Sequence, residues 1–298
     1  MGRFHAQKLA ASYAADLIAV VDADAARARE VATELDCAAA TDFRKLLTRV
    51  DVACVAVPTA RHHEVVGACL DAGVHVLVEK PLARSVAEAD DLLARAKARG
   101  LVLQVGHLER FNPAFRALAA EPGRPLFIDI ERLSPFKPRG TDVDVVLDLM
   151  IHDLDLVLAL ARAEVEAVSA CGFRVLTEAI DIANARIEFA DGCVASVSAS
   201  RVSQAPVRKL RVFRHDQYVS ADLQGHRLRY VRRDGGGIAE TETRFERADA
   251  LRLQTEAFLR AVREGGAPEV SGAEGRRALD LALRVGALIR ERLARPPR

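Results

Sequence analysis

Short apolar runs alternate with amphipathic stretches over the first hundred residues of the chain. Four runs, most of them rich in β-branched residues, have the length of strands: 17–21, 52–57, 74–78 and 101–105. Between them lie three stretches in which apolar positions recur at helical spacing: 25–35, 63–72 and 86–99. Continuous apolar strands separated by amphipathic helices predict a parallel sheet that is covered on both faces. We therefore expect residues 1–107 to form a doubly wound α/β domain of the nucleotide-binding type.

The pattern changes after about residue 108, where strand-like segments follow one another directly. These segments are 126–132, 167–175, 183–189, 194–200, 209–214 and 217–223. Asp191-Gly192 separates two alternating runs and predicts a hairpin turn, and the stretch 232–237 predicts an exposed hairpin tip. Two helical segments, about 251–263 and 273–293, follow. Residues 108–298 are expected to form a second domain, an open-faced, largely antiparallel sheet with helices on one face.

Length, charge and cysteine content narrow the class of protein. The 298 residues suit about two domains of ~100–150 residues. With 43 Lys+Arg against 42 Asp+Glu, the net charge of +1 argues against electrostatic binding to nucleic acid or to an anionic membrane. No apolar run approaches the ~20 residues of a membrane-spanning helix. The five cysteines form no C-x-x-C pair, which favours a reduced, cytoplasmic setting over a disulfide framework or a zinc site.

The start of the chain lacks an element that a dinucleotide-binding domain should have. Such a domain opens with a strand, then G-x-G-x-x-G, then a helix, whereas this chain opens with Met1-Gly2-Arg3-Phe4. Gly2 takes the place of the third glycine, and Asp22 lies 20 residues further on, at the end of the next strand. A carboxylate there would bind the ribose hydroxyls and favour NAD over NADP. The alternative is that Asp22 only caps the following helix.

The missing strand would be central in the sheet, so its absence predicts a gap beside the strands that end near Asp22 and Pro58. Exposed strand edges and lost apolar contacts should destabilise such a protein. We expect that the start codon was assigned too late or that the chain is truncated. The natural protein would then begin about 10 residues upstream, by typical strand lengths.

Two loops at the carboxyl edge of this sheet carry candidate chemistry. Glu79-Lys80-Pro81 follows the third of the four strand-like runs, where a lysine can lie near a nicotinamide ring and stabilise charge on a substrate oxygen. The alternative is a surface lysine at the start of a loop. Pro58, Thr59 and His62 follow the preceding strand and could line the cofactor cleft, although an ordinary loop with Thr59 as a helix cap explains them equally well.

A further constellation lies between residues 144 and 155. On an α-helix, Asp144, Asp148, His152 and Asp155 would share one face. A histidine with a carboxylate one turn away has a fixed ring and a raised pKa, as an acid or base needs. A metal site and a merely polar helix face are the alternatives; no third His or Cys at ligand spacing supports the metal. Basic residues of the second domain could clamp an anion or be solvated strand charges: Arg132, Lys137, Arg139, Arg201, Arg208 and Lys209.

Several motifs together resemble the Gfo/Idh/MocA family of NAD(P)-dependent oxidoreductases. They are G-R-F-H at 2–5, V-P-T at 57–59 with His62, E-K-P-L at 79–82, D-x-M-x-H-x-x-D at 148–155 and P-E-V-S-G at 268–272. The resemblance covers nearly the whole chain. Met150 stands where the family often has glycine.

The resemblance implies a Rossmann domain followed by an open-faced α/β domain that often oligomerises through its sheet. It implies that Lys80, Asp148 and His152 are catalytic and line a sugar or polyol site, with Arg139 and Arg201 as further substrate-binding candidates. NAD is the expected cofactor, with NADP less favoured, and no metal is expected. The candidate cofactor-binding residues are Gly2, Arg3, Phe4, Asp22, Pro58, Thr59, His62, Glu79 and Lys80.

Within the family, segments 104–113, 134–140, 147–155 and 199–203 are similar to the subgroup that oxidises the 3-hydroxyl of UDP-N-acetylglucosamine. That oxidation precedes an amination on a route to amide-linked lipid A precursors. The expected partners are a sugar or sugar-nucleotide substrate, further copies of the chain in a homodimer or homotetramer, and an aminotransferase. A non-catalytic regulator that binds NAD or a sugar, and an inactive truncated relative, are the alternatives.

Overall fold

A computed structural model describes residues 1–137 and 143–295 of the chain. The first part comprises α1 (Gly2–Ala10), β1 (Ala19–Val21), α2 (Ala25–Glu34), β2 (Ala38–Ala40), β3 (Val52–Val55), α3 (His62–Asp71), β4 (His75–Glu79), α4 (Val86–Ala98) and β5 (Leu103–Gly106). The middle part begins with α5 (Pro113–Ala120), β6 (Phe127–Leu133), a π-helical turn (Val146–Met150) and α6 (Ile151–Ala161). Seven strands follow: β7 (Val165–Phe173), β8 (Ile182–Phe189), β9 (Val194–Ser200), β10 (Val207–Arg214), β11 (Gln217–Asp222), β12 (Arg227–Asp234) and β13 (Gly237–Arg244). The last helices are α7 (Ala250–Glu264) and α8 (Gly272–Leu293).

These elements form two compact units. The first unit contains residues 1–108 and 249–276, and the second contains residues 109–248 and the chain from 277 onward. The sequence-based division assigns 249–276 to the second domain, whereas the structure groups this segment with the first. The reason is apolar packing: Phe258 and Leu259 of α7 are buried in one cluster with Leu77 of β4 and Val102.

The sheet of the first unit is parallel, as the alternating apolar runs predict, and it is divided. One part pairs β1 with β2, and the other pairs β3, β4 and β5, all in parallel register. The β1 and β3 edges are not paired with each other, so the gap expected beside the strands that end near Asp22 and Pro58 is present. Ile18 and Val21, both within the apolar run predicted for β1, are exposed.

The second unit is built on one sheet of eight strands in the order β13-β12-β11-β10-β6-β9-β8-β7. All neighbours are antiparallel except β6 and β9, which run parallel. Alternate residues are buried on one face, and α5, α6 and α8 contribute to the same core. The predicted open-faced sheet with helices on one face is therefore confirmed, and Gly192 lies in the predicted hairpin turn with φ 85°.

Helix ends in both units are fixed by short polar side chains. Asp24, Ser85 and Asn112 each accept a backbone N–H at the start of α2, α4 and α5, respectively. Ser271 and Glu274 form a reciprocal capping box at the start of α8. In residues 1–137 and 143–295, no helix has the length and apolar character that crossing a membrane requires.

Candidate active site

The candidate residues of the first unit lie where its parallel strands end. Asp22 directly follows β1, Pro58 and Thr59 follow β3, and Lys80 directly follows β4. The carboxyl ends of parallel strands lie at the same edge of a sheet, which is where doubly wound folds bind ligands. Pro58, Thr59 and Lys80 therefore lie at one edge of the β3–β4–β5 sheet, and Asp22 lies at the carboxyl end of the separate β1–β2 pair.

The Asp22 carboxylate is positioned by hydrogen bonds but is not buried. One oxygen accepts the backbone N–H of Asp24 at 2.9 Å, and the other lies 3.4 Å from the Arg27 guanidinium. The side chain keeps 31% of its surface exposed. Asp24, and not Asp22, caps α2, because its carboxylate accepts the N–H groups of Ala26 and Arg27. The alternative reading of Asp22 as only a helix cap is therefore wrong, and its remaining acceptor capacity can serve a ribose.

The first turn of α1 presents backbone N–H groups and no acidic side chain. Its N-cap, Met1, makes no side-chain capping bond. A Cβ at Gly2 would meet only Ala56, at 3.9 Å, so there is open space beside this glycine. Arg3 is turned toward Glu30 and Glu34 of α2, with which it forms exposed ion pairs. Phe4 is 56% exposed.

His62 is buried and connects two of the candidate loops. Its Nδ1 lies 2.8 Å from the carbonyl oxygen of Pro81, and its Nε2 lies 3.0 Å from that of Val57. The imidazole therefore fixes the loop after β3 against the loop after β4. Pro58 is exposed and Thr59 is partly exposed between them, so this pair is accessible to a ligand while His62 acts through the backbone.

Glu79 lies beside Lys80 and is paired with a histidine that the sequence analysis treated only as part of a motif. The Nε2 atom of His5 in α1 lies 2.6 Å from Oε1 of Glu79. Burial alone would lower the pKa of His5, but its interactions with Cys54 and Glu79 outweigh burial and raise the pKa to about 10. Burial alone would raise the pKa of Glu79, but His5 and Lys80 hold it below its usual range. Glu79 is therefore a buried carboxylate in an ion pair.

The π-helical turn carries Asp148, and His152 follows in the first turn of α6. Both side chains are partly exposed, whereas Met150 between them is fully buried. A π-helical turn changes the angle between successive side chains, so the 3.6-residue period does not hold across this segment. Such turns are frequent at functional sites.

The single polar face expected for the four residues of this segment is not observed. Asp144 lies before the π-helical turn, where it accepts the backbone N–H of Ile180 at 3.0 Å and pairs with Arg290 at 2.7 Å. Asp155 is buried and accepts two hydrogen bonds from Arg110. Asp144 and Asp155 are thus engaged in the fold, which separates them from the partly exposed Asp148 and His152.

A buried ionic network that the sequence analysis missed lies beside α6. Arg132 on β6 donates from Nε and Nη2 to the two carboxylate oxygens of Asp153, at 2.8 and 2.7 Å. Its Nη1 atom donates to Glu109 at 3.1 Å. Arg208 also donates to Glu109. Arg132 is therefore committed to the core and is no substrate clamp. In the sequence, only its position two residues after Ile130 and four after Ile128 indicated that Arg132 faces inward.

Arg201, a substrate-binding candidate, is buried. Its guanidinium donates to the carbonyl oxygens of Val143 and Ile180 and lies 3.6 Å from Asp181. Asp181 in turn accepts the backbone N–H groups of residues 175–177, and these bonds, together with one from the Thr177 hydroxyl, outweigh the effect of burial and lower its pKa to about 2. Arg201 thus links the backbone at Val143 to the backbone at Ile180. Arg139 lies outside the described residues.

Comparisons with known proteins agree with this description. Residues 1–107 match the oxidoreductase family with an NAD-binding Rossmann fold, and residues 121–220 match the GFO/IDH/MocA C-terminal domain. The chain is 41% identical over 292 residues to UDP-N-acetylglucosamine 3-dehydrogenase from Acidithiobacillus ferrooxidans, covering 96% of this chain and 93% of that protein. It is 28% identical to scyllo-inositol 2-dehydrogenase (NAD(+)) from Bacillus subtilis, covering 95% and 89%.

A solved structure of the Acidithiobacillus enzyme superposes on this chain with a TM-score of 0.93, covering 97% of this chain and 94% of that one. The fold, the strand-end residues and these matches define an NAD-dependent oxidoreductase with a Rossmann domain. The chain belongs to the Gfo/Idh/MocA family. The family, the fold class and NAD as cofactor, all expected from the motifs, are thereby confirmed.

The residues present fit NAD. Asp22 would bind the adenosine ribose, and the start of α1 at Gly2 would face the diphosphate. Pro58, Thr59 and Lys80 would lie along the nicotinamide half. Gly2 is the only glycine of the three-glycine fingerprint in this chain. The described residues contain no group of three or more His, Cys, Asp or Glu side chains arranged to hold a metal ion.

Proposed function

We propose that the protein oxidises a secondary hydroxyl of a sugar nucleotide, with the 3-hydroxyl of UDP-N-acetylglucosamine as the preferred target. The main support for this substrate is the 41% identity, over 96% of the chain, to UDP-N-acetylglucosamine 3-dehydrogenase. The inositol dehydrogenase among the relatives supports the broader class, oxidation of a ring hydroxyl. The product would be the 3-keto sugar nucleotide, which an aminotransferase could convert to an amine on a route to amide-linked lipid A precursors.

Three side chains of this protein have roles in the proposed reaction. His152 removes the hydroxyl proton of the substrate, and Asp148 orients the imidazole and stabilises its protonated form. Lys80 stabilises the negative charge that develops on the same oxygen, an electrostatic effect that can contribute several kcal/mol. NAD, when bound, accepts the hydride from the carbon. The partial exposure of Asp148, His152 and Lys80, against the burial of Asp153 and Asp155, supports these assignments.

The experiment measures NADH formation by the purified chain with NAD+ and UDP-N-acetylglucosamine. An aminotransferase and its amino donor are added in a parallel reaction, because oxidation of an alcohol by NAD+ is often uphill and removal of the ketone draws it forward. We expect NADH to form, faster in the coupled reaction, and Lys80→Met to remove most of the activity with little change in NAD affinity. Absence of NADH formation in both reactions would exclude this substrate, and NADH formation with myo-inositol instead would indicate a polyol dehydrogenase.

The proposal includes self-association through the open face of the eight-stranded sheet. Phe127, Phe213 and Tyr218 form an aromatic cluster on neighbouring strands, with ring centroids 5.6 and 4.9 Å apart. Phe213 remains exposed although it belongs to this cluster. We expect a homodimer or homotetramer by light scattering, which Phe213→Arg should dissociate. Tyr13→Arg, at an exposed position of the first unit, is the control; a native chain that is monomeric would contradict this part of the proposal.

A further inference from the structure

His5 is one of the most deeply buried polar side chains of the first unit, with 2% of its surface exposed. It belongs to the middle of α1, and its Nε2 atom lies 2.6 Å from Glu79 at the end of β4. Glu79 directly precedes Lys80 in the chain. A buried ion pair therefore lies one residue away from the lysine to which the proposed function assigns the stabilisation of substrate charge.

The position of the Glu79 side chain is restricted from a second direction. Gly106 is its register partner on β5, and a Cβ at Gly106 would lie 3.2 Å from both Cα and Oε2 of Glu79. The close approach of β5 leaves the carboxylate little room to move away from His5. Cys54 of β3 faces the imidazole, so α1, β3, β4 and β5 all contribute to the surroundings of the pair.

The charges of this cluster make Lys80 dependent on His5. The pKa of about 10 for His5 and the lowered pKa of Glu79 mean that both are charged near neutral pH, so together they have no net charge. The positive charge of Lys80 also acts on Glu79 and lowers its pKa. Removal of the His5 charge would leave Glu79 as an uncompensated carboxylate beside Lys80, in surroundings where water screens charge poorly.

We propose that His5 is a positioning residue for Lys80: by neutralising Glu79 it determines the electrostatic environment of the lysine and directs the ammonium charge to the substrate oxygen. The inference rests on the proposed function of Lys80. Without His5, Glu79 attracts the ammonium group and stabilises its charged form, as an opposite charge at short range does. Without both side chains, this attraction disappears.

The test measures the chemical reactivity of Lys80 in the chain without substrate or cofactor. Native protein, His5→Gln, Glu79→Gln and the double variant are treated briefly with acetic anhydride near pH 8, and acetylation of Lys80 is compared with that of the exposed Lys97 by mass spectrometry. We expect Lys80 to react about three- to tenfold more slowly in His5→Gln, because the amine is held in its charged form. Glu79→Gln should make it react faster, and the double variant should return toward the native rate.

His63→Gln is the matched control, because His63 also pairs with a carboxylate, that of Asp91 at 2.7 Å, but at a partly exposed position. It should leave the Lys80 rate unchanged. Native-like Lys80 reactivity in folded His5→Gln would overturn the proposal. If His5→Gln fails to fold, Glu79→Gln decides: an unchanged or slower Lys80 reaction in that variant contradicts the proposed electrostatic coupling.

Kinetics provide the second measurement. We expect His5→Gln to lower kcat about tenfold while the KM for NAD+ changes less than about threefold, and the double variant to recover part of kcat. A purely structural role predicts that the double variant is no better than the single one, and that result would contradict positioning. Altered Lys80 reactivity in a chain that oxidises no sugar nucleotide or polyol would support the positioning role and reject the proposed function.

Discussion

The carboxylate of Asp155 accepts two hydrogen bonds from the guanidinium of Arg110, at 2.7 and 3.0 Å, with 1% of the Asp155 side chain exposed. The bidentate geometry satisfies both oxygens in a site that water does not reach. Asp155 therefore stabilises the second unit by holding α6 to the segment after β5, and its burial keeps its carboxylate out of reach of a substrate.

Asp155→Ala should lower the free energy of unfolding by about 2–4 kcal/mol, because it removes a buried carboxylate that binds the partly buried Arg110 guanidinium at two points. Urea unfolding followed by circular dichroism measures the change. Glu256→Ala removes the carboxylate of an exposed pair with Arg252 and should cost no more than about 1 kcal/mol. If both variants lost the same free energy of unfolding, burial would not be the reason that the Asp155–Arg110 pair stabilises the protein.

The sequence predicts four of the five parallel strands of the first unit, because their apolar runs, as at β3 and β4, are recognisable without knowledge of neighbouring strands. It misses β2, which consists of only three alanines. The sequence does not reveal contacts between residues that lie far apart in the chain. Arg110 and Asp155 are 45 residues apart, and nothing local identifies them as a pair. The π-helical turn is equally invisible, because the spacing of Asp148 and His152 suits an ordinary α-helix.

Edge strands are the other element that the sequence hides. β13 is the polar segment Gly237–Arg244, whose residues are nearly all exposed, so it lacks the alternation that marks a half-buried strand. Its partner β12 was recognised only at its end, as the predicted hairpin tip, which the structure confirms at Gly235 and Gly236. In the candidate site, the strand-end residues were predictable from spacing, whereas the His5–Glu79 pair required the three-dimensional approach of α1 to β4.

His152→Asn should lower kcat by about 100- to 10,000-fold, the range for loss of a general base, with little change in thermal stability. The measurement is the steady-state rate of NADH formation with the sugar nucleotide. His215→Asn, at an exposed position between β10 and β11, is the control and should retain the native kcat. A kcat for His152→Asn within about threefold of the native value would remove His152 from the mechanism.

Asp22→Ala should lower kcat/KM with NAD about 10- to 100-fold, because the ribose hydroxyls lose a charged acceptor. The same change removes the carboxylate that would repel a 2′-phosphate near Arg27, so kcat/KM with NADP should rise. The comparison is made with both cofactors at saturating sugar nucleotide. Asp24→Ser keeps a capping side chain for α2 and should preserve the native preference, whereas an unchanged preference in Asp22→Ala would assign ribose recognition to another residue.

The His5–Glu79 pair also predicts how stability depends on pH. The pKa of His5 rises from 6.5 in the unfolded chain to about 10 in the folded protein, so the folded state binds the proton more tightly. The resulting stabilisation is fully present below about pH 6.5 and is lost as the pH rises toward about 10. His5→Gln lacks it throughout. The difference in unfolding free energy between native protein and His5→Gln, measured with urea at several pH values, should therefore be largest near pH 6 and decline toward pH 10. A difference that stays constant over this range would mean that the imidazole is not selectively protonated in the folded state.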